Sequence, residues 1–152
     1  MPSSIEWITG PVHTGKTTRL GERIAANQSQ YCGLLAPVDA AGKRYLQDIV
    51  TSERRMLDCS PQAKEVVLVG PYTFSGEVFA WGRSVLADHH ANYPNRTLVI
   101  DEIGKLELKG EGLADICWKV IEARENSKTP LILVVRDSLV FAVTNQILSN
   151  LS

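Results

Sequence analysis

The stretch Gly10-Pro11-Val12-His13-Thr14-Gly15-Lys16-Thr17 constrains this chain more than any other, because it spells G-x-x-x-x-G-K-T between an apolar run and a helical pattern. At ordinary residue frequencies, four fixed positions in this order arise by chance in roughly one chain in two hundred of this length. Ile5 to Thr9 before it reads as a strand, and Thr18 to Ser29 after it reads as a helix, with Leu20 and Ile24 four apart on one face. Strand, loop and helix in that order is the setting in which such a loop cradles phosphates. Gly10 and Gly15 permit the turn and the close approach, so successive backbone N–H groups converge, and the dipole of the following helix adds positive potential. Gly10, Pro11, Val12, His13, Thr14, Gly15, Lys16, Thr17 and Thr18 are therefore the expected nucleotide-binding residues of a Walker A loop. Lys16 is placed to reach the β- and γ-phosphates, and the Thr17 hydroxyl is an expected ligand of Mg²⁺. His13 occupies a free position of the pattern, where the backbone does the binding, and is read as a bystander.

A second landmark follows downstream. Thr97-Leu98-Val99-Ile100-Asp101-Glu102 is an apolar strand ending in two carboxylates, which puts Asp101 at the carboxyl end of a parallel sheet, where open α/β folds bind ligands. Asp101 is the expected second metal residue, a Walker B aspartate. Glu102, next along, is the candidate general base for a water attacking the γ-phosphate in line. Leu131 to Val135 reads as another buried strand, and Arg136 at its end faces the same side; it is the candidate cation for the transition state, with Arg83 and Arg96 behind it.

Composition narrows the class. The chain has 152 residues, enough for a single domain spanning 1–152 with a sizeable core. A formal net charge of −1 provides no global attraction to nucleic acid or to anionic membrane, so phosphate affinity is local. No run approaches the length of a membrane span, and the N-terminus lacks a leader pattern, so the expected location is the cytoplasm. Cys32, Cys59 and Cys117 are odd in number and widely spaced, which argues for reduced thiols rather than a zinc site or a disulfide framework.

In chain order, Tyr31 to Ala36 reads as a buried strand closed by Pro37, and Asp39 to Gly42 as a turn. Arg44 to Val50 and Arg54 to Leu57 read as a hairpin inserted into the α/β alternation. Val66-Val67-Leu68-Val69 is a continuous apolar run, expected as a strand covered on both faces. Ser75 is expected to cap a helix from about Gly76 to Asn92, whose end carries His89-His90 in solvent. Leu113 to Arg124 outlines an amphipathic helix ending near Ser127, and Leu139, Val143 and Ile147 outline a last helix capped by Ser138, with strand as the alternative.

Asp101-Glu102-Ile103-Gly104-Lys105-Leu106-Glu107-Leu108 resembles the D-E-I-G-K-M-E-L signature of a family of small nucleoside-triphosphatases first described in thermophiles, which includes the human cancer-related nucleoside-triphosphatase. The loop from Gly10 to Thr18, the segment Gly33 to Leu57 and the segment Val69 to Leu86 are similar to that family as well. The resemblance implies a RecA-like, mainly parallel sheet with helices on both faces and a β-hairpin insertion. It also implies Mg²⁺-dependent hydrolysis of several nucleoside triphosphates, ATP and GTP among them, to diphosphate and phosphate with weak base preference. Residue matching assigns the phosphate and metal roles to Lys16 and Thr17, the second metal role to Asp101 and the base role to Glu102; Lys105 is a candidate for the γ-phosphate and Glu107 for holding the loop. The family's loop usually carries a third glycine where this chain has His13. Two alternatives stay open: a nucleotide-dependent adaptor or regulator with little turnover, and a small-molecule kinase.

Overall fold

Alternation in three apolar runs builds the centre of the molecule. In the computed structural model, which describes residues 4–10 and 16–151 (Lys16 and Leu151 by backbone alone), these runs are adjacent strands of one six-stranded sheet. The elements in order are β1 (Ile5–Gly10), α1 (Lys16–Ala26), β2 (Tyr31–Leu35), β3 (Tyr45–Asp48), β4 (Arg54–Met56), β5 (Val66–Val69), β6 (Tyr72–Ser75), α2 (Gly76–Asn92), β7 (Thr97–Asp101), α3 (Lys105–Leu108), α4 (Ile116–Ser127), β8 (Leu131–Arg136) and α5 (Val140–Leu151). The sheet order is β1-β8-β7-β2-β3-β4, parallel from β1 through β2 and antiparallel where the β3–β4 hairpin extends the edge. β8 therefore separates the strand before the loop from the strand that ends in Asp101.

Period-two burial divides the core into two layers. Leu98, Ile100, Leu131, Leu133 and Val135 point to one face, where α2, α4 and α5 cover them with Leu86, Ile121 and Val143. Val99, Ile132 and Val134 point to the other, where α1 contributes Leu20 and Ile24. Both faces are covered, which is why these strands read as unbroken apolar runs. Ser75 caps α2 as expected, its Oγ accepting from the Val78 N–H at 3.2 Å. The last segment is helical, so the strand alternative falls; Ser138 lies in a short 3-10 turn over Asp137–Leu139 ahead of α5 instead of capping it. No helix among the described residues is long and apolar enough to cross a membrane.

Two expectations are corrected. Val66–Val69 is not an interior strand: with β6 it forms a separate antiparallel hairpin turned at Gly70-Pro71, and Leu68 is 71% exposed. A four-residue apolar run meets the pattern for a buried strand equally well when only one side packs, and here Val67 and Val69 lean on the core while Leu68 faces out. His89 is not in solvent either. It is 5% exposed, its Nδ1 accepts the Gly33 N–H at 2.8 Å, and its Nε2 stands 3.3 Å from Asp48 Oδ1.

That histidine explains how the hairpin is fastened. Gly33 has φ 104°, which turns its N–H out of the strand ladder, and a Cβ there would run into the Val99 backbone. Asp48 in turn accepts the N–H groups of Val50 and Thr51 at the hairpin bend. The relay Gly33–His89–Asp48 thus joins β2, α2 and β3. At the other end of the sheet the fully buried Arg124 donates to the carbonyls of Arg96 (2.6 Å), Tyr93 (3.1 Å) and Pro130 (3.3 Å), closing the loops that enter β7 and β8. Burial holds the thiols of Cys32, up to about 11, and Cys117 in the protonated form. Cys59 is likewise unpaired.

Burial also lowers the pKa of His89 from 6.5, with Asp48 opposing. Because the folded value lies below the unfolded one, the stabilisation from the neutral ring is present above pH 6.5 and is lost as pH falls through the folded value. His89→Phe leaves the Gly33 N–H unpaired and is expected to cost about 2 kcal/mol, a fall in melting temperature of roughly 4–8 °C. Thermal melts between pH 5 and 8 check this, and the variant is expected to lose stability less steeply on acidification than the wild type.

Candidate nucleotide site

Parallel strands deliver their carboxyl ends to one edge, and the predicted site residues are distributed along it. Gly10 ends β1 in register with Arg136 at the end of β8, and Asp101 ends β7 in register with Val134. Pro11, Val12, His13, Thr14 and Gly15 lie outside the described residues, as does the Lys16 side chain. Thr17 and Thr18 stand in the first turn of α1. β2 terminates beside β7, so Ala36 and Asp101 meet across the ends of the two strands.

Asp101 is the junction. Its side chain is almost fully buried, and Oδ2 accepts the Thr17 hydroxyl at 2.9 Å and the Ala36 N–H at 3.0 Å. Oδ1 is buried with no hydrogen-bond partner among the described residues. A buried carboxylate oxygen left over beside a threonine hydroxyl is the donor set that a hard divalent cation takes, so Thr17 and Asp101 fit Mg²⁺. Burial foremost pushes the Asp101 carboxyl up to about 6; the bonds from Ala36 and Thr17 oppose it, the Glu102 charge adds to it, and the Arg44 charge lowers it.

Glu102 comes immediately after the strand and is part-exposed, with Oε1 at 3.9 Å from the Arg136 guanidinium. Thr17, Thr18, Glu102 and Arg136 form one end of a cleft of about 620 Å³ that continues between α1 and the β3–β4 hairpin. The two weaker cation candidates are committed elsewhere. Arg83 donates to the Gly112 carbonyl at 2.6 Å, and Arg96 lies at the amino ends of the strands, over the Tyr93 ring and 3.4 Å from the Tyr31 carbonyl.

The octet after Asp101 folds around Glu107. This carboxylate is 4% exposed and accepts from the Gly104 N–H (2.8 Å) and the Leu113 N–H (3.0 Å), while the Glu107 carbonyl accepts the Trp118 indole N–H at 3.1 Å. It ties both sides of the one-turn helix α3 together and so holds the segment leaving Glu102. Lys105, in the same turn, is exposed. Sequence reasoning missed Ala36 as a backbone donor to Asp101 and Arg44 as a wall of the cleft. Neither position carries a motif, and both matter only because β2 and the hairpin are brought beside β7.

A mostly parallel sheet with helices on both faces, with one strand between the loop strand and the acidic strand, defines an α/β P-loop fold of RecA-like order. The chain belongs to the NTPase family, whose model matches residues 6–151. The family is one of nucleoside triphosphatases, and that general activity goes with the membership. Among solved structures, the chain is similar to THEP1 from the hyperthermophile Aquifex aeolicus, with a TM-score of 0.73 and 19% identity over 94% of this chain and 83% of the other. No curated protein matches it.

The raised value of Asp101 has a measurable consequence in the protein without nucleotide. Since its folded pKa lies above the unfolded value of 3.8, the carboxyl contributes stability below pH 3.8 that is gone above about pH 6, a cost of about 3 kcal/mol at neutral pH. Asp101→Asn removes the buried charge but buries an amide N–H₂ in its place, at a cost of about 1–2 kcal/mol, and is expected to raise the melting temperature at pH 7.5 by roughly 2–8 °C. Melts at pH 7.5 and pH 5 check it, because the gain is expected to shrink as the wild-type carboxyl takes up its proton.

Proposed function

We propose that this protein hydrolyses nucleoside triphosphates to diphosphate and phosphate with Mg²⁺, slowly and with little preference among bases. The observation that carries the reading is the Asp101 junction, with one carboxylate oxygen bonded to Thr17 and the other buried and unpartnered, beside a Glu102 that opens onto the cleft. Thr17 and Asp101 would hold Mg²⁺, which when bound neutralises charge on the phosphate oxygens. The Walker A backbone from Gly10 to Thr18 and the Lys16 ammonium bind and orient the triphosphate. Glu102 accepts the proton of the attacking water at its carboxylate, and Arg136 both orients Glu102 and faces the charge that develops on the transferring group. Glu107 keeps Glu102 in place by bracing the turn that follows it.

A small-molecule kinase is a second reading, since the cleft runs on from Thr17, Glu102 and Arg136 between α1 and the β3–β4 hairpin, where an acceptor could lie beside a triphosphate. Incubating the protein with ATP and candidate acceptors separates the two. Free phosphate is expected, and a phosphorylated acceptor would turn the assignment to transfer.

Without an external arginine, turnover is expected at about 10⁻⁴ to 10⁻² s⁻¹ across ATP, GTP, CTP and UTP, and none in the absence of Mg²⁺. Glu102→Gln keeps the size and hydrogen-bonding capacity of the side chain but not the base, so single-turnover hydrolysis should fall by about 10² to 10⁴ while nucleotide affinity holds. Lys16→Ala should weaken binding by about ten- to a hundredfold. Asp101→Asn should lose both metal-dependent affinity and rate. A Glu102→Gln protein as fast as wild type removes the base assignment, and a wild type with no hydrolysis leaves a nucleotide-dependent adaptor.

A further inference from the structure

The hairpin carries three arginines, of which Arg44 and Arg54 line the cleft, and both Arg54 and Arg55 are committed. Arg54 Nε donates to Gln47 Oε1 at 2.7 Å. Arg55 Nε donates to Glu53 at 2.7 Å, and its guanidinium lies over the Trp81 ring at 4.5 Å. Arg44 differs. Its backbone is fixed on both sides, the N–H donating to Asp58 Oδ2 at 2.6 Å, the carbonyl accepting the Leu57 N–H at 2.8 Å, and the residue bridging Val38. Its guanidinium, in contrast, makes no hydrogen bond or ion pair among the described residues, and Arg44 lines the same cleft as Thr17, Glu102 and Arg136.

Charge is the reason an unpaired arginine matters there. Two adjacent carboxylates, Asp101 and Glu102, end β7 at this edge, and a transferring phosphoryl group adds more negative charge. Arg136 answers part of it but already faces Glu102 at 3.9 Å. The Arg44 side chain is near enough to Asp101 for the two charges to interact. A planar guanidinium on an anchored backbone, with its donors unspent, matches the need for a cation that engages the γ-phosphate oxygens when charge builds on them.

We propose that Arg44 is a further catalytic residue, an arginine supplied by the chain's own hairpin that contacts the γ-phosphate oxygens in the transition state. The proposal rests on the hydrolase reading and adds to it a role for the hairpin: β3–β4 extends the sheet beside β2, and the Val38 bridge and the bond to Asp58 fix the Arg44 backbone past the carboxyl end of β2. The water O–H proton goes to Glu102, the new P–O bond forms from that water, and the bond from phosphorus to the β–γ bridging oxygen breaks to release the diphosphate.

The test compares wild type, Arg44→Ala, Arg44→Met, Arg44→Lys and Arg54→Ala by single-turnover ATP hydrolysis and by calorimetric affinity for ADP, for a non-hydrolysable ATP analogue and for ADP with aluminium fluoride. Arg44→Met keeps the packing of the stem should the alanine variant fold poorly. Arg44→Ala and Arg44→Met are expected to slow hydrolysis at least about a hundredfold and to lose the tightening that aluminium fluoride confers, with ADP and analogue affinities within about threefold of wild type. Arg44→Lys should recover little, because a point charge does not reproduce the fork, and Arg54→Ala should stay within about twofold of the wild-type rate. Wild-type hydrolysis by the Arg44 variants, or an equal loss in Arg54→Ala, overturns the proposal while leaving the hydrolase reading intact. A wild type that neither hydrolyses ATP nor tightens on aluminium fluoride removes both.

Discussion

The buried carboxylate of Asp101 is the interaction on which the arrangement of the site depends. One of its oxygens receives the Thr17 hydroxyl from the first turn of α1 and the Ala36 N–H from the end of β2. Three elements distant in sequence are thereby held at one point, and the group that holds them is charged at neutral pH in a place where charge is unfavourable. A carboxylate kept there with its second oxygen unpartnered is poorly suited to stability alone. It is well suited to a bound cation, and the strain of keeping it is consistent with the proposed metal role.

The two ends of the sheet are built for different purposes. At the amino ends, Arg124 is sealed in and spends its donors on backbone carbonyls and on His90 Nδ1, so the loops entering β7 and β8 are closed. At the carboxyl ends the polar groups are less fully used: Asp101 Oδ1 and Arg136 Nε are buried without partners among the described residues, and Glu102 opens to the cleft. Polar groups that are satisfied stiffen a fold, whereas groups left over at one edge wait for something to bind. Glu107 bridges the two conditions, since its saturated hydrogen bonds keep the turn after Glu102 fixed while Glu102 itself stays accessible.

The misread segments have physical explanations. Val66–Val69 and Leu131–Val135 look alike as strings of aliphatic residues, but one exposes Leu68 and leaves its other residues half-buried while the other is covered throughout. Length and composition do not separate them, because the difference lies in whether a helix or a neighbouring strand arrives on the second face. His89 was misplaced for a related reason. Near the end of a helix a histidine defaults to solvent, yet the outward-turned N–H of Gly33 and the carboxylate of Asp48 give this one partners from two other elements.

What the sequence by itself determined was everything that depends on local order: the strand–loop–helix setting of the Walker A pattern, the acidic pair at the end of β7, the hairpin between β2 and β5, and the α/β alternation that makes a parallel sheet unavoidable. These rest on backbone sterics, side-chain periodicity and short motifs, which act within a few residues of chain. Tertiary structure alone decided the strand order that seats β8 between β1 and β7, the meeting of Thr17, Ala36 and Asp101, and the bringing of Arg44 to the same cleft as Glu102. Those contacts join residues far apart in the chain, 84 positions in the case of Thr17 and Asp101, and no local preference encodes them. They follow from how the two apolar faces of one sheet are covered, a property of the whole chain packed at once.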